Sequence, residues 1–204
     1  MMTFISNRLS RRAVLLTGAA AFGVAVASPL AAFTTGEAEA LVDRLVGDIN
    51  AVIASGKSES AMIQDFEGIF ARYGDVPAIA RSALGPTARS LSSSQLSAYT
   101  DAFSGYISRK YGKRFREFIG GRIEVNGAKP AGNLFEVSTT AFLRGSSPFE
   151  VTFVVIERSG RQRFVNMLIE GVNMLASERV EVSAILDRNQ GNVSGLINDL
   201  NRAG

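Results

Sequence analysis

The sequence contains no histidine, no cysteine and no tryptophan among its 204 residues. Histidine is the commonest general base and the commonest ligand for transition metals, so its absence excludes Ser-His-Asp and Cys-His catalysis and His-based zinc chemistry. Without cysteine, no disulfide can stabilise the fold, and burial of apolar side chains must do so instead. We therefore predict that the protein is not an enzyme of the common classes and that it has no metal site and no cofactor.

The first 32 residues have the pattern of a cleavable export signal. Arg8, Arg11 and Arg12 precede an apolar stretch rich in alanine and glycine. The paired arginines resemble a twin-arginine signal, and export by the Sec route stays open. Cleavage is expected after Ala27 or Ala32. Glycines and a proline interrupt the stretch, so a membrane anchor is the less favoured alternative, and we predict a periplasmic protein.

Removing this segment also removes the net positive charge. The whole chain has 22 Lys and Arg against 19 Asp and Glu, a net charge of +3. The three arginines of the signal are the only charged residues before position 33, which leaves 19 basic residues against 19 acidic ones. Net charge therefore gives no reason to expect nucleic-acid binding. Residues 33–204 have the length of one domain with a substantial core.

Apolar residues recur at helical spacing in the first half of this domain. We predict helices over residues 37–55, 58–73 and 75–84, the last with Asp75 as its cap and Pro77 in its first turn. A longer helix is predicted from a cap at residues 92–95 to about Ile119.

After Gly120 and Gly121 the apolar period changes to two, which is typical of strands. We predict four strands, followed by two short amphipathic helices. The predicted strands are 122–125, 135–143, 149–158 and 162–174, and the helices are 180–186 and 193–200. The expected fold class is α+β, with a helical N-terminal half, a four-stranded antiparallel sheet and short C-terminal helices that cover one sheet face.

The last predicted strand is apolar on both faces. From Arg163 to Leu175 it reads R-F-V-N-M-L-I-E-G-V-N-M-L, interrupted only by Glu170 and Gly171. Such a strand must be covered on both sides, and a glycine within it usually marks a bulge or a close approach of another group. The pattern fits either a bulged core strand or the wall of a cavity, and the sequence pattern leaves both open.

Carboxylates are the remaining candidates for acid–base chemistry. Glu150 and Glu157 are predicted on opposite faces of one strand, so they cannot converge. Glu136 and Glu170 could face each other only if the strand register aligned them. We interpret these carboxylates as solvated or structural, and an exported enzyme that uses Glu136, Glu150 or Glu170 is the alternative.

A run of basic residues lies near the end of the long predicted helix. Residues 109–116 include five Arg or Lys, and Arg122 follows. Cations at this position compensate a helix dipole, which is the main interpretation. A patch that binds phosphate or approaches a membrane is the alternative.

Four segments resemble, in order, those of one protein family. They are Asn166–Met174 (family pattern D-V-x-I-E-G-V-S-L), Ile79–Gly85, Gln95–Tyr111 and Asn192–Leu200. The sequence resembles the MlaC, or toluene-tolerance, family of periplasmic phospholipid-binding proteins. It departs from the family pattern at Asn166, where Asp is usual, at Asn173, where Ser is usual, and in having no tryptophan before Asn166.

The resemblance implies a soluble carrier that moves phospholipid between an outer-membrane lipoprotein complex and an inner-membrane MCE-type ABC transporter. This transport would maintain the lipid asymmetry of the outer membrane. Its acyl chains would lie in an apolar cavity between sheet and helices, as cargo and not as a cofactor. A hopanoid or another non-phospholipid cargo is the alternative, and a structural adaptor with a filled core is a further one. The side chains expected to bind lipid are Phe70, Val76, Ile79, Leu84, Phe103, Ile107, Tyr111, Phe115, Val137, Val151, Phe153, Val155, Met167, Ile169, Val172 and Met174.

Overall fold

A computed structural model describes residues 33–204, apart from the side chains of residues 114–116, and the predicted export signal lies outside the described residues. The described part has six α-helices and one five-stranded sheet. The helices are α1 (Thr35–Ile53), α2 (Glu59–Tyr73), α3 (Val76–Leu84), α4 (Ser93–Arg114), α5 (Met174–Arg188) and α6 (Val193–Arg202). The strands are β1 (Arg122–Ala131), β2 (Leu134–Phe142), β3 (Phe149–Arg158), β4 (Arg161–Ile169) and β5 (Val172–Asn173). The predicted α+β fold class is confirmed.

Side-chain caps determine where the helices begin. Asp75 caps α3 by accepting a hydrogen bond from the backbone N–H of Ala78 at 3.2 Å. Ser92 and Gln95 cap α4 reciprocally, because each side chain accepts from the other's backbone N–H, at 3.3 and 3.0 Å. The long predicted helix ends earlier than expected, since a 3₁₀ segment, Phe115–Phe118, replaces the α-helix after Arg114.

The sheet is an antiparallel meander in the order β1-β2-β3-β4-β5. The predicted first strand was too short, because β1 continues to Ala131 past a bulge between Val125 and Gly127. The turn-forming residues Asn126, Gly127 and Pro130 argued against a strand. They are tolerated here because β1 is an edge strand, where a proline does not remove a needed ladder donor.

The prediction of one long, bulged last strand was wrong. Ile169 and Val172 are cross-strand partners, so Glu170 and Gly171 form a two-residue turn between β4 and β5. Both turn residues have positive φ, 49° and 76°, as a type I′ hairpin turn requires. The sheet therefore has five strands instead of four, and α5 begins directly after β5. A bulge does occur in β4, but it lies at Val165.

Apolar side chains form two core clusters. The first packs α1 and α2 against the inner face of the sheet, and it includes the fully buried Val137 and Val155. The second joins α3, α4, α5 and α6 around Phe103 and Leu196. Phe164 of β4 packs against both clusters. No helix within residues 33–204 combines the length and the apolar character that a membrane span requires.

Two polar contacts attach the helical layer to the sheet. The side-chain amide of Asn50 in α1 donates to the carbonyl of Ile123 and accepts from its N–H, both at 3.0 Å, in the way a neighbouring strand would. At the start of α3, the N–H of Asp75 donates to the carbonyl of Phe164 at 2.9 Å. A side chain at Gly74 would collide with the Phe70 carbonyl at 2.8 Å, so this close approach requires glycine.

Candidate functional site

An apolar cavity of about 670 Å³ lies where the two core clusters meet, and it is partly open to solvent. Its volume falls within the range of small-molecule sites, about 300–1,000 Å³. Helices and the inner sheet face both contribute aliphatic and aromatic side chains. These include Leu45, Ile49, Phe66, Ile69, Phe70, Ile79, Phe103, Ile107, Tyr111, Val151, Phe153, Phe164, Met167, Ile169, Met174 and Leu175.

Aromatic packing around Phe164 fixes part of the wall. Its ring centroid lies 5.9 Å from that of Phe70 in α2 and 5.9 Å from that of Phe153 in β3, in a T-shaped arrangement with the latter. Because Phe164 is also held by its backbone bond to Asp75, helix and sheet are tied together at this point. This part of the wall is therefore positioned by packed elements and not by loops.

The exposed members of the lining form a rim that is more polar than the interior. Glu117, Ser147, Pro148 and Glu170 belong to this rim, from the 3₁₀ segment, the β2–β3 loop and the β4–β5 turn. The carboxylate of Glu170 also accepts a hydrogen bond from the backbone N–H of Glu150 at 2.6 Å, which fixes the turn against β3. The rim can contact the polar part of a ligand while the interior holds its apolar part.

One charged group interrupts the apolar wall. Glu178 of α5 lines the cavity, and its side chain is only 5% exposed. Its Oε1 accepts hydrogen bonds from Lys110 Nζ at 2.8 Å and from the Tyr111 hydroxyl at 2.6 Å. Lys110 also donates to the carboxylate of Glu181, on the next turn of α5, and to the Tyr106 hydroxyl at 2.9 Å. We call these five residues the α4–α5 cluster.

Electrostatics within this cluster favour the charged forms of Lys110 and Glu181. Burial disfavours a charged Lys110, but its hydrogen bonds to Glu178 and Glu181 outweigh this and raise its pKa. Burial likewise disfavours a charged Glu181, but hydrogen bonds from Lys110 and Tyr106 lower its pKa. Burial above all, and then the two carboxylates, raise the pKa of Tyr106. Lys110 therefore stays charged while it donates to both Glu178 and Glu181.

The two asparagines that depart from the family pattern form a pair that starts α5. Asn173 is the N-cap, and its Oδ1 accepts from the N–H of Ala176 at 3.0 Å. The same Oδ1 accepts from Asn166 Nδ2 at 3.0 Å, and Asn166 Oδ1 accepts from the N–H of Leu175 at 3.1 Å. This pair determines where Met174 and Glu178 lie relative to β4.

Most of the predicted lipid-binding side chains line the cavity. They are Phe70, Ile79, Phe103, Ile107, Tyr111, Val151, Phe153, Met167, Ile169 and Met174. Val76, Leu84, Val137 and Val155 are instead buried among other side chains and are absent from the lining. The side chain of Phe115 lies outside the described residues.

Val172 does not belong to the cavity wall. Its side chain is 56% exposed, because the turn at Glu170 and Gly171 reverses the chain before it. The prediction assumed a strand that continued straight through the glycine, and this turn overturns that assumption.

Several lining residues were not predicted. Leu45, Ile49, Phe66 and Ile69 lie on the apolar stripes of α1 and α2, where the helical period is the same for core packing and for a cavity wall. Glu178 was not predicted either, because it lies between the predicted strand, which ends at residue 174, and the next predicted helix, which begins at residue 180.

The carboxylates considered for catalysis are not gathered in the apolar cavity, although Glu136 and Glu150 border one small pocket on the other side of the sheet and Glu170 lies at the cavity rim. Glu136 and Glu150 lie on the outer sheet face, where Glu136 contacts Lys129 at 3.1 Å and Glu150 accepts from Thr152 at 2.8 Å. Glu170 lies in the β4–β5 turn, away from Glu136, whose strand neighbours are Val154 and then Asn166. Within residues 33–204, no three His, Cys, Asp or Glu side chains are grouped as metal ligands would be.

The basic run at the end of α4 is partly structural. Arg109 donates to the carbonyls of Leu200 and Ala203, at 2.6 and 2.9 Å, so it compensates the C-terminus of α6 and not that of its own helix. Lys110 belongs to the α4–α5 cluster, and Lys113 donates to the carbonyl of Gly204. The side chains of residues 114 and 116 lie outside the described part.

An antiparallel sheet and a helical layer that enclose a partly open apolar cavity define a class of protein suited to holding a hydrophobic ligand. The chain matches the model of the MlaC protein family over residues 39–202, and it belongs to that family. It is similar to a solved structure, a phospholipid-binding protein from Ralstonia solanacearum in complex with a phospholipid. The TM-score is 0.70 at 17% identity, over 81% of this chain and 95% of that one, which shows a shared fold. No curated protein matches the sequence significantly.

Proposed function

We propose that this protein is a periplasmic carrier that holds the acyl chains of a phospholipid in its cavity and leaves the headgroup at the rim. The carrier moves phospholipid between an outer-membrane lipoprotein complex and an inner-membrane MCE-type ABC transporter, and so supports outer-membrane lipid asymmetry and toluene tolerance. The apolar cavity of about 670 Å³ carries this proposal. Membership of the MlaC family and the phospholipid complex of the similar Ralstonia solanacearum protein support it.

The chemistry of the wall suits acyl chains. Each methylene removed from water contributes about 0.8 kcal/mol, so about ten buried methylenes contribute roughly 8 kcal/mol before the cost of association. Acyl chains need no polar partner. The lining offers few polar groups, because most of its side chains are aromatic or aliphatic, such as Phe103, Ile107 and Met167. Affinity therefore comes from burial.

The rim leaves room for a headgroup to stay in water. Glu117, Ser147 and Glu170 are exposed and border the cavity, so a charged headgroup placed there keeps its hydration. Burying a phosphate in the apolar interior would cost far more than its contacts return. The lipid is therefore expected to enter with its chains first.

A vesicle transfer assay tests the carrier activity. Donor vesicles would contain a self-quenched fluorescent phospholipid, and acceptor vesicles would contain none. We expect the purified protein to raise the rate of dequenching in proportion to its concentration, and to raise it further when the acceptor vesicles contain the host's MCE-type transporter. A rate equal to that of vesicles alone, with protein shown to be folded by circular dichroism, would refute the proposal.

A further inference from the structure

The charged side chains that line the cavity, among those that the structure describes, are all carboxylates. They belong to Glu117, Glu170 and Glu178, and no described lysine or arginine lines the cavity. Glu178 is buried and pairs with Lys110 at 2.8 Å, so its charge is compensated inside the protein. Glu117 and Glu170 are exposed on the rim, and neither forms an ion pair with a described side chain. The rim therefore has two uncompensated carboxylates where the headgroup of a bound lipid would lie.

The two rim carboxylates are accessible to a headgroup at the mouth of the cavity. They come from different elements, Glu117 from the 3₁₀ segment after α4 and Glu170 from the β4–β5 turn. Glu170 is held in place because its Oε1 accepts from the backbone N–H of Glu150 at 2.6 Å. An ionised carboxylate can accept about four hydrogen bonds, so acceptors remain for a ligand. Both residues line the cavity and are exposed, so a headgroup can reach them without entering the apolar interior.

A nearby cation does not distinguish one phospholipid from another. Arg144 follows the lining residue Leu143, and its Nε lies 3.6 Å from the position that a Cβ would take at Gly120. Arg144 is exposed and does not itself line the cavity. Its guanidinium group can attract a phosphate, but every glycerophospholipid has that phosphate. Phospholipids differ in the group beyond the phosphate, and the charge of the rim carboxylates acts on that group.

We propose that the rim selects phospholipids whose headgroup ends in an ammonium group over anionic phospholipids whose headgroup ends in a neutral group. The inference rests on the proposed function, since it specifies the headgroup of the lipid that the cavity holds. An ammonium group at the exposed rim keeps much of its hydration, so its desolvation costs little. Each exposed pair of opposite charges changes an affinity by up to about fivefold, and Glu117 and Glu170 provide two such partners.

Displacement of a fluorescent phospholipid from the delipidated wild-type protein tests the preference. The competitors are short-chain phosphatidylethanolamine, phosphatidylcholine and phosphatidylglycerol with identical acyl chains, so that only the terminal group differs. We expect both ammonium lipids to bind at least about threefold more tightly than the glycerol lipid at low salt. The preference should shrink as the ionic strength rises from about 0.01 M to about 1 M, because the Debye length falls from about 30 Å to about 3 Å.

Three variants assign the preference to the rim. Glu170→Gln should reduce it, and the double variant Glu117→Gln with Glu170→Gln should abolish it, because an amide keeps an acceptor oxygen but has no charge. Glu157→Gln is the matched control. Glu157 is also exposed, and its Oε1 accepts from a turn N–H, that of Gly160 at 2.7 Å, but it does not line the cavity. The control should keep the wild-type preference, and equal losses in Glu170→Gln and Glu157→Gln would overturn the assignment.

The wild-type comparison decides even if a variant fails to fold. Equal affinity for the three lipids, or tighter binding of the glycerol lipid, would overturn the selectivity and leave the carrier function intact. A preference for the ethanolamine lipid alone would also overturn it, since choline carries the same positive charge. If neither the fluorescent probe nor any competitor binds the folded protein, the proposed carrier function itself fails.

Discussion

Glu170 and Gly171 both have positive φ angles, a conformation that costs most L-residues about 1–2 kcal/mol. Glu170 is held there by the hydrogen bond to the N–H of Glu150, and glycine adopts the conformation at Gly171 without penalty. This turn ends β4, and Asn173 then starts α5. The backbone of single residues therefore determines which side chains of this segment reach the cavity.

Replacing Gly171 with alanine tests the turn. We expect Gly171→Ala to lower the free energy of unfolding by about 1 kcal/mol, because φ of 76° strains any side chain. Gly47→Ala is the control, since Gly47 is exposed in the middle of α1 with open space around its Cα. The control should stabilise the protein by up to about 1 kcal/mol. Urea unfolding measures both, and changes of the same sign would contradict the assigned turn.

Removing the lysine of the α4–α5 cluster tests its energetic role. Lys110→Met should lower the free energy of unfolding by about 3 kcal/mol, because Glu178 would stay buried without its cation. Lys57→Met is the control, since the pair between Lys57 and Asp65 is largely exposed and should be worth less than about 1 kcal/mol. Adding Glu178→Gln to Lys110→Met should recover part of the loss. Urea unfolding that gives equal effects for the two lysines would show that the cluster does not stabilise the fold.

At the scale of whole elements, the β4–β5 hairpin forms one edge of the cavity wall. Ile169 and Val172 are directly opposite each other in the ladder. Ile169 lines the cavity, whereas Val172 is 56% exposed. Two apolar residues at equivalent places in one hairpin thus have different surroundings.

This pair gives a matched test of the cavity as the ligand site. Ile169→Trp should fill part of the cavity and reduce lipid capacity severalfold, whereas Val172→Trp should leave it unchanged because the new ring points to solvent. The amount of lipid bound per protein, measured by native mass spectrometry at saturating phospholipid, distinguishes them. Equal capacity in the two variants would place the lipid elsewhere.

The helices could be predicted from sequence because period and caps agree. Asp75 and the Ser92–Gln95 pair are local signals, and they perform in the structure the roles predicted for them. The end of β4 could not be predicted, since an apolar run on both sides of Gly171 fits a bulge as well as a turn. The distinction depends on the positive φ of Glu170, which its residue type does not favour.

Which apolar side chains line the cavity depends on distances between elements. Val137 and Val155 have the same strand period as Val151 and Phe153, yet only the latter two border the cavity. The stripe of α1 likewise contains both core residues and the lining residues Leu45 and Ile49. Sequence period identifies the buried face of an element, and only the packing of the layers shows where that face meets empty space.

For the molecule as a whole, the cavity replaces what would otherwise be one continuous core. A sealed, empty cavity of about 670 Å³ would cost roughly 16 kcal/mol at about 24 cal/mol per Å³. That is comparable with the entire stability of a domain, about 5–15 kcal/mol. The cavity is partly open to solvent, so water can enter it, but its apolar wall offers water few hydrogen-bond partners. A bound lipid is therefore expected to stabilise the fold as well as to be its cargo.

Native mass spectrometry of the protein purified gently from the cells that produce it tests the central claim most directly. We expect a mass above that of the polypeptide, and collisional activation should release one or more lipids that extraction then identifies as phospholipid. Protein delipidated by reversed-phase extraction and refolded is the control, and it should lack the added mass and unfold at a lower temperature. A strictly ligand-free mass for the gently purified protein would contradict the proposal that this cavity carries lipid.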